Sequence, residues 1–322
     1  MDVKPQPFVP PAPKPRTRPP SRLELIRVLY RNPLELWGEP SYTKPYVHMR
    51  GIHEDTLIVN DPGLARHVLV DNVANYRMAR VRQSLLRPLL RDGLLTAEGE
   101  TWKRSRKAMA PVFTPRHILG FAETMRRRTE DFAERYREKT ETDISRDMTV
   151  LTFEIMSATL FSDEIAGSPE NFEQQVNHLL NTMGRIDPLD LLGAPSWLPR
   201  ITRLRGKRAL GFFRGIVAET IARRREKLAR NPETAPQDFM TLLLKAEGPD
   251  GLTADEIEDN IITFIGAGHE TTARALGWTL YLLAEAPWER EKVEEEIDNV
   301  LSNPPPAAEW LDAMPRTRAA FE

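Results

Sequence analysis

Apolar residues recur along most of this chain at three- and four-residue intervals, the spacing of one face of a helix. That rhythm predicts helices over about 99–110, 116–138, 145–161, 171–183, 206–230, 236–246, 254–286 and 288–302, with a short amphipathic helix from Ser21 to Tyr30. Two runs alternate or are β-branched instead. Tyr46–Arg50 and Thr56–Val59 read as short strands joined by a turn at 52–55. Asp61-Pro62 then opens a helix to about Leu69, proline being comfortable in a first turn. From Asn72 to Leu95 the pattern is irregular, a loop with short helices. The fold class expected is mainly α with a small β-sheet.

The longest element dominates. Thr253-Ala-Asp-Glu256 is a capping box, with Asp255 and Glu256 where a helix dipole favours acids, and Pro287 closes the run. Its flanks are apolar, yet its middle reads Gly266-Ala267-Gly268-His269-Glu270-Thr271-Thr272. Each glycine costs about 1 kcal/mol against alanine in a helix interior. A carboxylate and two hydroxyls in an apolar helix cost more unless they are satisfied. Local rules fail together at one place, as they do at functional sites. In one reading the small residues admit a flat ligand to the backbone, a threonine hydroxyl meets it, and the acid relays protons. In the other, Glu270 pairs with Arg274 one turn on and the threonines bond carbonyls one turn back. Position 273 is Ala, so His269-Glu270 is no zinc-protease HExxH; the glycines match neither a dinucleotide fingerprint nor a phosphate loop.

A second cluster lies at Glu98–Met109, where Trp102 and Arg106 share a helix face. An indole N–H and a guanidinium fork suit a ligand bearing carboxylates. The alternative is a basic surface helix with Trp102 in the core.

Composition narrows the classes. The formal charge of −2 argues against nucleic acid as a partner, and the arginine triplets at 126–128 and 223–225 have acids beside them. No apolar run reaches membrane-span length, so no transmembrane anchor is expected. Cysteine is absent, which is compatible with a reducing, cytoplasmic compartment and removes thiolate chemistry from these residues. Residues 1–22 read as a proline-rich flexible leader, and 23–322 as the folded domain.

Taken in order, these segments resemble the cytochrome P450 family. Ala267–Thr272 is similar to that family's (A/G)GxETT motif, and Trp102–Arg106 to its WxxxR. Asp143–Met148 followed by Phe153–Phe161, Glu289–Leu301 and Met314–Glu322 resemble successive later stretches. The resemblance implies a haem-thiolate monooxygenase fold, C-terminally incomplete, because the ExxR acid would fall one residue beyond Glu322 and no cysteine is present to ligate iron. It implies haem as cofactor, with Trp102 and Arg106 on the propionates and Ala267 and Gly268 leaving room for oxygen. Thr271 would then hydrogen-bond the oxygen ligand and Glu270 deliver protons, no residue here being a metal ligand. It further implies O2, a small apolar organic substrate covered by Asn72–Leu90, and electrons from a ferredoxin or flavoprotein reductase. A fragment of this kind is expected to be inactive alone. The alternative class is a non-catalytic helical relic that binds a partner or an apolar ligand.

Overall fold

A computed structural model describes residues 8–50, 55–137, 140–165 and 201–322. The expected helix at 171–183 and most of the 52–55 turn lie outside these. The chain folds as two compact units.

The smaller unit holds described residues 11–50, 55–91 and 201–211. Helix α1 (Arg22–Arg31) starts on a capping box in which Glu24 N–H donates to Ser21 Oγ and Ser21 N–H donates to Glu24 Oε2. Upstream, Arg16 is stitched to the 3-10 turn Pro33–Leu36 and the residue after it. Its amide donates to Trp37 O at 3.1 Å and its Nε to Glu35 O at 2.8 Å. The two expected strands are present: β1 (Tyr46–Met49) and β2 (Thr56–Val59) pair antiparallel with Tyr46 opposite Val59. Asp61 caps the short helix Pro62–Arg66, which widens into a π turn at His67–Asp71. The irregular stretch contains one full helix, α2 (Arg80–Leu90), whose Leu89 packs with Ala209 and Leu210.

The larger unit holds described residues 8–10, 92–137, 140–165 and 212–322. Its helices are α3 (Gly99–Met109), α4 (Ala122–Glu134), α5 (Ile144–Leu160), α6 (Ile201–Arg230, shared with the smaller unit) and α7 (Phe239–Lys245). They are followed by α8 (Ala254–Glu285), α9 (Pro287–Leu301) and α10 (Pro315–Phe321). The helix expected over 116–138 is two helices, because Phe121 N–H bonds back to Ile118 O and Leu119 O after Gly120 and breaks the ladder. The core forms where α4 and α5 meet α8: Phe132, Met148 and Leu151 close on Ala273, with Leu276 beside them. The architecture is therefore mainly helical with one small sheet.

Candidate functional site

Helix α8 is where the unit's polar chemistry collects. Its first turn is fixed by the expected capping box: Glu256 N–H donates to Thr253 Oγ1 at 3.1 Å, and Thr253 N–H donates to Glu256 Oε2 at 2.9 Å. The other Glu256 oxygen receives Arg104 of α3 at 2.6 Å. One turn on, fully buried Asn260 donates to Ser105 Oγ at 3.0 Å and accepts from Leu94 N–H at 2.8 Å. Asp259 takes Arg214 at 3.2 Å and the Asp92 amide at 3.3 Å, while Thr263 donates to Asp259 O at 2.7 Å. Glu256, Asp259, Asn260 and Thr263 recur at helical spacing, a polar stripe that attention to the apolar flank passed over; that spacing was the available signal.

This stripe seats α3. Ser105 and Met109 turn inward, and Trp102 and Arg106 lie on the adjoining face. Trp102 is 43% exposed, which excludes the expectation of a tryptophan sunk in core. Arg106 is also exposed, and its guanidinium forms no ion pair with the described residues. The two donors thus share one accessible face, seven residues (roughly 10 Å of helix rise) before Ala267 as measured from the Ser105–Asn260 contact along α8.

The middle of α8 is two-sided. His269 and Ala273 turn to α5, where Thr152 Oγ1 donates to His269 O at 3.0 Å and the Phe153 ring stands edge-on to the imidazole at 6.2 Å. Imidazole Nδ1 lies 2.6 Å from Ile265 O. A carbonyl only accepts, so Nδ1 carries the proton and Nε2 is the basic nitrogen. Burial holds the His269 pKa below the usual imidazole range, against smaller opposing effects of the Ile265 carbonyl and Glu270. Ala267, Gly268, Thr271 and Thr272 lie together on an exposed stretch of the same helix. His269 packs against α5 instead, which removes it as a ligand for anything bound over that stretch.

The contacts made here are local. Thr271 Oγ1 donates to Ala267 O at 2.8 Å and Thr272 Oγ1 to Gly268 O at 3.0 Å. Arg274 Nε donates to Glu270 Oε1 at 3.2 Å and its Nη1 to Ser145 Oγ at 2.7 Å. These are the one-turn contacts that spacing allowed as the alternative. Two observations are left over. Glu270 Oε2 is buried without a hydrogen-bond partner among the described residues. Among the described residues a Cβ at Gly266 would meet nothing within 4 Å, and one at Gly268 only Met156 Sδ at an ordinary 3.7 Å, so packing against these residues requires neither glycine.

No helix among the described residues is long and apolar enough to cross a membrane. A long helix opened at its centre by small residues, an acid and two alcohols, with an indole–guanidinium pair on a helix bound to it, defines a candidate site for a flat, carboxylate-bearing ligand. Residues 40–322 match cytochrome P450, and the chain belongs to that family. It is 31% identical over 233 residues to a self-sufficient cytochrome P450 monooxygenase of Exserohilum turcicum, covering 67% of this chain and 21% of that protein. It is 28% identical over 298 residues to cytochrome P450 3A56 of Fundulus heteroclitus, covering 84% and 59%. It is 27% identical over 269 residues to cyclooctatin synthase of Streptomyces melanosporofaciens, covering 81% and 56%. The chain thus spans between about a fifth and three fifths of the length of these relatives.

Proposed function

We propose that these residues form the oxygen-side wall of a haem-dependent monooxygenase acting on a small, mostly apolar organic molecule. The observation that carries the reading is the exposed stretch of α8, where two glycines that packing among the described residues does not require sit beside a carboxylate oxygen with no hydrogen-bond partner among them. Family membership supplies the cofactor class. The donor set fits one edge and one face of haem. Trp102 Nε1–H and the Arg106 guanidinium match propionates in charge and hydrogen-bonding sense, and Ala267 and Gly268 present no side chain beyond a methyl. None of the 322 residues is cysteine, so these residues supply no thiolate ligand for the iron. In this reading the thiolate comes from outside them, and the chain by itself is inactive.

Haem, when bound, supplies dioxygen binding and reductive O–O cleavage with electrons from a ferredoxin or flavoprotein donor. The chain's own residues manage protons. Thr271 Oγ1 donates to Ala267 O here, and its hydroxyl would be the donor available to a ligand held over this stretch. Glu270, whose Oε2 is shielded and has no hydrogen-bond partner among the described residues, would serve as the proton relay, while Arg274, itself bonded to Ser145, keeps the carboxylate from swinging away.

The test is the Thr271→Ala variant of the haem-bearing, cysteine-containing protein. Oxygen uptake should continue while product per oxygen falls and hydrogen peroxide appears. Unchanged coupling would sink the assignment.

A further inference from the structure

Within the smaller unit, residues 16–56 surround a cavity of 640 Å³, inside the roughly 300–1,000 Å³ range of small-molecule sites. Its floor is apolar. Leu25 and Leu29 of α1 face Val47 and Met49 of β1, and Leu36 closes one end. All five are half-buried rather than sealed into core. Its rim is cationic: Arg16, Arg18 and Arg50 line it, and among the described residues no Asp or Glu does.

The charge is only partly answered. Arg18 is bound to Glu24 at 2.8 Å and His48 to Asp55 at 2.8 Å. Arg16 spends its Nε on Glu35 O, and neither Arg16 nor Arg50 forms an ion pair with the described residues. The Arg16 backbone is held by its bonds to Trp37 and Glu39, and the Nε bond to Glu35 O orients the guanidinium. A fixed guanidinium beside an aliphatic trough suits one compact anionic head on an unbranched tail, because the fork binds a carboxylate in two parallel bonds. Among the described residues no Phe, Tyr or Trp lines the space, and the lining they present is aliphatic rather than a stacking surface for a flat ring.

We infer that this cavity binds a single-chain fatty carboxylate, head at Arg16 and Arg50 and tail along Leu25, Leu29, Val47 and Met49. The inference is independent of haem and of the α8 site.

The probe is sodium dodecanoate below its micelle concentration, titrated calorimetrically into the full chain. Saturable binding is expected, weakened at least about tenfold in the Arg16→Gln/Arg50→Gln double variant. Dodecanol should bind more weakly and dodecyltrimethylammonium not measurably. The Met49 methyl resonance, assigned with Met49→Leu, should shift with dodecanoate and not without it. Equal affinity in the double variant, binding of the cationic amphiphile as tight as dodecanoate, or no dodecanoate binding by the folded chain would each overturn the inference. Should Arg16→Gln alter the circular dichroism spectrum, Arg50→Gln alone and the salt dependence of dodecanoate affinity decide. An affinity indifferent to charge and salt overturns it.

Discussion

Ser105 and Asn260, 155 positions apart, are joined by a 3.0 Å hydrogen bond between two side chains that water does not reach. The bond fixes the helix carrying Trp102 and Arg106 to the helix carrying Thr271. Asn260 also holds the Leu94 amide at 2.8 Å, so one carboxamide satisfies two partners in different segments. Asn260→Ala leaves a buried hydroxyl and a largely buried amide without their bonds. At about 1–3 kcal/mol for each unsatisfied group, partly relieved by water entering the space, we expect a loss of about 2–4 kcal/mol. Urea denaturation measures it. Native-state hydrogen exchange should show α3 amides opening more readily than those of α4.

Glycines in this unit separate into two kinds. A Cβ at Gly93 would collide with Thr263 Oγ1 and lie 2.5 Å from Asp259 O, inside the polar stripe. Gly93→Ala must push two backbones apart, with an expected loss of roughly 1–3 kcal/mol. At Gly266 none of the described residues stands within 4 Å of an added Cβ, so Gly266→Ala should stabilise the ligand-free chain by about 1 kcal/mol. Thermal unfolding of the two variants should move in opposite directions. A destabilising Gly266→Ala would mean that the glycine serves the fold itself, and the case for a ligand beside it would weaken.

Much of this was legible because local signals coincide with it. The Thr253 capping box, Pro287 and the apolar flanks outline α8 almost residue for residue, and the two short strands fall where the sequence places them. The centre of α8 was legible as a breach of helix rules, and its residues do lie together. Spacing could not say which side faces α5. The burial of His269 depends on Thr152, Phe153 and Met156, more than a hundred positions away. The polar stripe was missed for the same reason, since Asp259 and Asn260 look like solvent-facing residues until Gly93, Leu94 and Ser105 are brought against them. The helix expected at 116–138 ran through Gly120 because periodicity carries across a break that keeps the same apolar face.

A buried cation outside the candidate site anchors α6 to α7. Arg224 is 0% exposed and donates to Glu164 at 2.7 Å, to Asp238 at 2.5 and 2.8 Å, to Thr241 Oγ1 at 2.7 Å and to Phe161 O at 3.3 Å. Burial works against its charge, but the bonds to Asp238 and Glu164 outweigh it and hold its pKa above the usual arginine value. Asp238 also caps α7. Arg224→Met leaves Asp238 without its cation, while Glu164 keeps Lys227 at 2.8 Å, and should cost about 3–5 kcal/mol. Arg224→Lys keeps the charge but loses the fork and should recover only part of that. Equal stability of the methionine variant and the parent in urea would show that the network contributes nothing net.

His269 makes stability depend on pH in a direction set by its burial. Its folded pKa lies below the usual imidazole value, chiefly because desolvation disfavours the charged ring. In the unfolded chain the ring takes up a proton near pH 6.5, whereas the folded chain takes it up only at lower pH. Between those two values the unfolded state binds more protons. The stability contributed by neutral His269 is therefore complete above about pH 6.5 and is lost as pH falls toward the folded pKa. His269→Leu, apolar and still able to pack on Phe153, removes this term at the cost of the Ile265 carbonyl bond. Its urea midpoint should be lower than the parent's at pH 8, and the gap should narrow as pH falls from about 6.5 to 5. Parallel curves across that range would show that another group controls the acid limb, and that His269 is protonated with equal ease in both states.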